Sequence, residues 1–128
     1  MDIENSRLLL ESIIKTKFCK SGKIIYIKEH PLLNIKQLKI KNIPKNLKII
    51  KGDYLNIIKK FKIVISSGSS SSIIQAILSN CFIIFPFNNY FDEYNFKNLR
   101  IPKKFYKVCN ESNQVDKAID YFTNKKNF

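Results

Sequence analysis

Apolar residues return at helical spacing over the first part of the chain. Ile3, Leu10, Ile13, Ile14 and Phe18 share one stripe, and Glu11 stands one turn ahead of Lys15 in the favourable orientation. The pattern predicts a helix over residues 3–19, stopped at Ser21-Gly22. The β-branched and aromatic run Lys23-Ile24-Ile25-Tyr26-Ile27-Lys28 then predicts a buried parallel strand ending before His30-Pro31. Leu32, Leu33, Ile35, Leu38 and Ile40 fit neither the helical nor the strand period, so residues 32–45 are left without an element.

After Pro44 the alternation sharpens. Leu47 to Ile50 reads as a strand, Gly52-Asp53 as a turn and helix cap, and Tyr54, Leu55, Ile57, Ile58 and Phe61 as a short helix. The unit then repeats: strand Lys62 to Ile65, serine turn Ser66 to Ser72, helix Ile73 to Leu78 stopped at Asn80, and strand Cys81 to Phe85. An aromatic, polar loop from Phe87 to Lys104 leads to a strand at Phe105 to Cys109 and a last helix over 112–123. Strands alternating with helices predict an α/β fold, a Rossmann-like parallel sheet with helices on both faces. The 128 residues suffice for one domain. Because a doubly wound sheet usually opens on a strand, the helical start suggests that a first strand and a preceding domain are missing.

Composition adjusts this picture in three ways. The longest apolar run, Cys81 to Phe87, is far shorter than the roughly 20 residues that cross a bilayer, and Asp2, Glu4 and Glu11 spoil a signal peptide, so a cytoplasmic chain is expected. Cys19, Cys81 and Cys109 lack metal-ligand spacing and are expected as reduced thiols in or near the core, with no metal site. The net charge of +13 invites a polyanionic partner. Arg7 and Arg100 are, however, the only arginines, and the lysines are scattered without an interleaved aromatic platform. Compositional bias therefore explains the excess best, a specific nucleic-acid interface is disfavoured, and peripheral contact with an anionic membrane stays open.

Ligands of open parallel sheets bind beyond the strands' C-terminal ends, which singles out two segments. The first is His30-Pro31, where Pro31 restrains the chain's one histidine to extended geometry. Position alone suits a surface or capping histidine as well as a ligand contact. The second is the βα turn Ser66-Ser67-Gly68-Ser69-Ser70-Ser71-Ser72. A serine run can be plain linker, but here it joins regular apolar segments, Gly68 permits a tight turn, and a serine near 69 or 70 can cap the helix, leaving amides and hydroxyls for a phosphate. The spacing fits neither a Walker A loop, nor the three-glycine dinucleotide fingerprint, nor a nucleophile elbow. The acidic pair Asp92-Glu93 reads as solvated loop.

In this order, the two segments resemble the C-terminal, donor-binding half of GT-B glycosyltransferases of bacterial surface carbohydrates: sialyl- and polysialyltransferases, capsule Kdo transferases and CDP-glycerol polymerases. The likeness covers about Lys23 to Phe85. It implies that His30 and Pro31 lie against the nucleotide phosphate of a nucleotide-sugar donor. It also implies that Ser66, Ser67, Gly68, Ser69, Ser70 and Ser71 cradle that phosphate. Gln75 stands where many such enzymes carry a ribose-binding glutamate, and Asn80 and Phe82 replace a common glycine and proline. The resemblance implies a CMP- or CDP-linked donor ahead of a UDP-linked one, no cofactor, and an acceptor-binding domain or subunit supplying the base, so that this chain alone does not transfer sugar. The alternative is a non-catalytic fragment or nucleotide-binding module.

Overall fold

The computed structural model describes residues 3–28, 35–66, 70–86, 100–109 and 111–125. Its first helix, α1 (Ile3–Ile14), stops short of the predicted end because Thr16 intervenes. The Thr16 backbone is extended and its hydroxyl competes with the helix, donating to the Ile13 carbonyl at 2.6 Å and accepting the Cys19 amide at 3.1 Å. A second short helix, α2 (Lys17–Lys20), starts from that cap.

Strand β1 (Ile25–Ile27) pairs in parallel with β2 (Leu47–Ile49), Ile25 opposite Leu47. The stretch that fitted neither period contains a 3₁₀ turn, Ile35–Leu38. Leu38 packs with Leu10, Cys19 and Leu47 in one core, and its carbonyl accepts the Arg7 Nε at 3.1 Å.

Helix α3 (Tyr54–Ile58) follows. Asp53 occupies its N-cap position, as the sequence predicts, but its side chain makes no capping hydrogen bond. Then come β3 (Ile63–Ile65), α4 (Ser70–Leu78), β4 (Phe82–Pro86), a 3₁₀ turn (Lys103–Phe105), β5 (Tyr106–Cys109) and α5 (Ser112–Thr123). Helix α4 begins at Ser70, ahead of the predicted start at Ile73. Asn80 stops the helix with a positive φ of 65°, the left-handed stop its residue type predicts.

Strands β3, β4 and β5 form an all-parallel sheet in that order, with Ile65 opposite Ile84 and Pro86 opposite Cys109. Central β4 is buried on both faces, as its unbroken apolar run requires. Ile83 and Phe85 pack with Ile58 of α3 and with Ile73 and Ala76 of α4, whereas Phe82 and Ile84 pack with Val115, Ala118, Ile119 and Phe122 of α5. The fold is α/β, a Rossmann-like parallel arrangement with helices on both faces. Among the described residues the strands hydrogen-bond as two sheets, β1–β2 and β3–β4–β5. Cys19, Cys81 and Cys109 are buried free thiols. No helix among the described residues is long and apolar enough to cross a membrane.

Candidate functional site

Parallel strands deliver their C-terminal ends to one edge, and in the larger sheet that rim follows Ile65, Pro86 and Cys109. Ser66 stands at its start. The Ser66 amide donates to the Ile84 carbonyl at 3.0 Å, extending the β3–β4 ladder one residue past the strand and fixing where the serine turn departs. Four residues, 66–69, separate β3 from α4. Helix α4 is anchored by Ile73 and Ala76, which are 3% and 0% exposed, against Ile83 and Phe85 of β4.

The first-turn amides of a helix lack intrahelical acceptors and carry the positive end of its dipole. In α4 that end belongs to Ser70 and Ser71, whose backbones are helical, facing the turn that starts at Ser66. Gln75 is half-buried further along the same helix, next to the fully buried Ala76. The structure therefore gathers Ser66, Ser70, Ser71 and Gln75 on one βα unit. His30, Pro31, Ser67, Gly68 and Ser69 lie outside the described residues, as do the aromatic loop 87–99 and its Asp92-Glu93 pair. Lys28, just beyond β1, is the last described residue before the His-Pro pair.

The perturbed thiols are core groups. Burial raises the Cys81 pKa above its ordinary value, and Cys81 Sγ donates to the carbonyls of Ile58 and Phe61 at 3.3 and 3.1 Å. Burial also raises Cys109, against a smaller opposing pull from Lys107. Tyr54 is raised by burial and by its proximity to Cys81. Both thiols are held neutral, the wrong state for a nucleophile. No group of three or more metal-ligating side chains occurs among the described residues.

No protein-family model, curated protein or solved structure matches the chain significantly.

One cluster has no counterpart in the sequence reading. Tyr121 on α5 carries the Lys107 and Lys125 ammonium groups over its ring, at 4.5 and 4.7 Å from the centroid. The spacing of Tyr121 and Lys125, one helical turn, was legible. The approach of Lys107 from β5 depends on how α5 packs across the sheet.

Proposed function

We propose that this domain is the nucleotide-sugar-binding half of a glycosyltransferase of surface-polysaccharide synthesis. The observation that supports it is the βα unit at the C-terminal rim: Ser66 leaves β3 in register and α4 begins four residues later, at Ser70. Such a unit offers main-chain amides and hydroxyls to a phosphate, and the motif order resembles the GT-B donor half. In the proposed reaction an acceptor hydroxyl attacks the sugar's anomeric carbon, the bond to the phosphate oxygen breaks, and the nucleotide leaves with the electron pair. The hydroxyl proton passes to a base on the acceptor-binding domain or subunit. His30 and the serine turn stabilise the charge that develops on the departing phosphate.

Nucleotide binding tests this reading directly. Thermal unfolding is expected to show stabilisation by CMP or CDP, and weaker stabilisation by UDP. A ligand at one hundred times its dissociation constant adds about 2.7 kcal/mol. His30→Ala is expected to weaken binding while leaving unfolding nearly unchanged, because a rim histidine supports little packing. Absence of any response at millimolar nucleotide sinks the proposal. Transfer to surface-glycan acceptors is expected only when an acceptor-binding domain is added.

A further inference from the structure

The Lys107, Lys125 and Tyr121 cluster belongs to the face of the sheet that α5 covers, whereas the serine turn leads into α4 on the other face. Helix α5 follows β5 and packs back along β3, β4 and β5, so its C-terminal end returns towards the strands' beginnings. Lys62, just before β3, meets it there. The Lys62 ammonium donates to the Thr123 carbonyl at 3.0 Å and to the Lys125 carbonyl, stabilising carbonyls at the negative end of the helix dipole and fixing the backbone of Lys125.

The cluster is held on a rigid base. Phe82 and Phe122, both buried, stack with centroids 4.5 Å apart, and Phe122 meets Tyr121 edge-on at 5.4 Å. Tyr121 itself is 46% exposed. Lys125 lies over both Tyr121 and Phe82, at 4.7 and 5.9 Å from their centroids. The two ammonium groups over Tyr121 can be no farther apart than their summed distances to its centroid, close to the ~8 Å screening length of physiological salt. Among the described residues no carboxylate pairs with Lys62, Lys107 or Lys125; the ion pair that is formed, Arg7 with Glu4, belongs to α1. The exposed Asp120, next to Tyr121, is not paired with them either. The phenol feels this field, since its hydrogen bond to Lys125 and the charges of Lys125 and Lys107 lower the Tyr121 pKa.

We infer that Lys107 and Lys125, presented around Tyr121 at the C-terminal end of α5, form a docking surface for the phosphate headgroups of an anionic membrane. The occupant follows from what the cluster leaves available. A single-stranded nucleic acid gains much of its affinity by stacking bases on exposed aromatic faces. Here two ammonium groups already lie over Tyr121, and a base would have to displace them. A lipid surface needs no stacking face. It presents a dense field of negative headgroups to the lysines, while tyrosine is suited to the headgroup level. The inference is independent of the nucleotide reading, because the cluster is built on α5 and the serine turn leads into α4, which pack on opposite faces of the sheet.

The test is co-sedimentation of the full chain with equimolar phosphatidylcholine–phosphatidylglycerol vesicles, against phosphatidylcholine alone and without nucleotide. Binding is expected to the anionic vesicles only and to fall with salt. Losing a surface lysine costs about fivefold in membrane affinity, so the Lys107→Gln, Lys125→Gln double variant is expected to bind about 30-fold more weakly. The Lys107→Arg, Lys125→Arg variant keeps the charge and is expected to keep binding, which separates lost attraction from lost folding. The exposed pair Lys41→Gln, Lys45→Gln removes the same charge elsewhere and is expected to have a far smaller effect. Failure of the wild-type chain to bind anionic vesicles overturns the inference. Equal weakening by the two glutamine pairs overturns it too, by assigning binding to diffuse charge. Lysine-dependent binding of a single-stranded oligonucleotide without vesicle binding overturns it in favour of nucleic acid.

Discussion

The Asp116 carboxylate on α5 accepts the Lys17 amide at 2.9 Å and, through its other oxygen, the Phe18 amide at 3.2 Å. These are the first two amides of α2; the third, that of Cys19, donates to the Thr16 hydroxyl, and the Thr16 amide at the cap itself donates to the Ile13 carbonyl at 3.1 Å. All four donors that a helix start leaves unpaired are satisfied, two of them by a residue about one hundred positions away. The Ser112 hydroxyl, donating to the Ser12 carbonyl at 3.2 Å, makes a second link between the two ends of the chain.

Asp116→Ala is expected to cost about 1–2 kcal/mol in urea unfolding, the range for losing a helix cap. Asp116→Asn, which keeps one acceptor oxygen, is expected to lose less. Equal stability of wild type and Asp116→Ala would show that water replaces the carboxylate at no cost.

Phe82 of β4 and Phe122 of α5 stack nearly parallel, with 13° between their planes, and are 2% and 0% exposed. Phe122→Ala leaves a cavity against the sheet and is expected to cost about 3–5 kcal/mol. A double-mutant cycle with Phe82→Leu is expected to return a coupling of about 0.5–1.5 kcal/mol for the ring pair. Additive losses would mean that burial alone, and not ring geometry, sets the contribution.

Local chemistry was legible where it is decided locally. The apolar run of β4 announced a strand buried on both faces, and Asn80 announced a left-handed helix stop. What escaped was set by distant partners or by a single buried hydroxyl. Thr16 looked like one more helical residue, yet its 1% exposure and two hydrogen bonds turn it into a break. The role of Asp116 was not legible at all, since nothing nearby in sequence indicates the amides it meets. Ser70 to Ser72 looked like turn, but the anchoring of Ile73 and Ala76 on β4 lets the helix extend back through them. Of the candidate site, the βα unit bearing Ser66 and Gln75 was legible for the same reason as the strands: apolar runs of fixed length flank it.

Asn80→Gly is therefore expected to be tolerated within a few tenths of a kcal/mol, because glycine enters the left-handed region without penalty. Asn80→Val is expected to cost about 1–2 kcal/mol or more, as a β-branched residue there meets the steric conflict of that region directly. Thermal unfolding of both variants checks the contrast. Similar stability of the two would mean that the turn relaxes out of its positive φ.

Gln75→Glu tests the donor-site proposal from a different side. If Gln75 occupies the place of a ribose-binding carboxylate, glutamate offers the ribose hydroxyls a charged acceptor, and charge-assisted hydrogen bonds are about twice as strong as neutral ones. CMP affinity measured by calorimetry is expected to rise several-fold. A fall in affinity with the fold intact would place the ribose elsewhere.

The alkaline limit of stability is expected to be set largely by the buried thiols. Cys81 is fully buried, and burial holds its pKa above the ordinary 9.0; Cys109, 2% exposed, is shifted the same way. Folding thus favours the protonated thiols, so their contribution is complete below pH about 9 and declines as pH rises from there through the folded-state pKa. Each group can steepen the loss by up to about 1.4 kcal/mol per pH unit, the amount by which one proton bound only in the folded state changes stability. Tyr54, also raised, acts in the same direction above its ordinary 10.0, whereas the lowered pKa of the exposed Tyr121 opposes it. Urea midpoints between about pH 7 and pH 10 are expected to stay level and then fall. Cys81→Ala should be less stable at neutral pH, for want of the packed sulfur, yet flatter across the alkaline range. If the variant and the wild type lose stability in parallel there, Cys81 is not the titrating group, and the alkaline loss belongs to Cys109 or Tyr54.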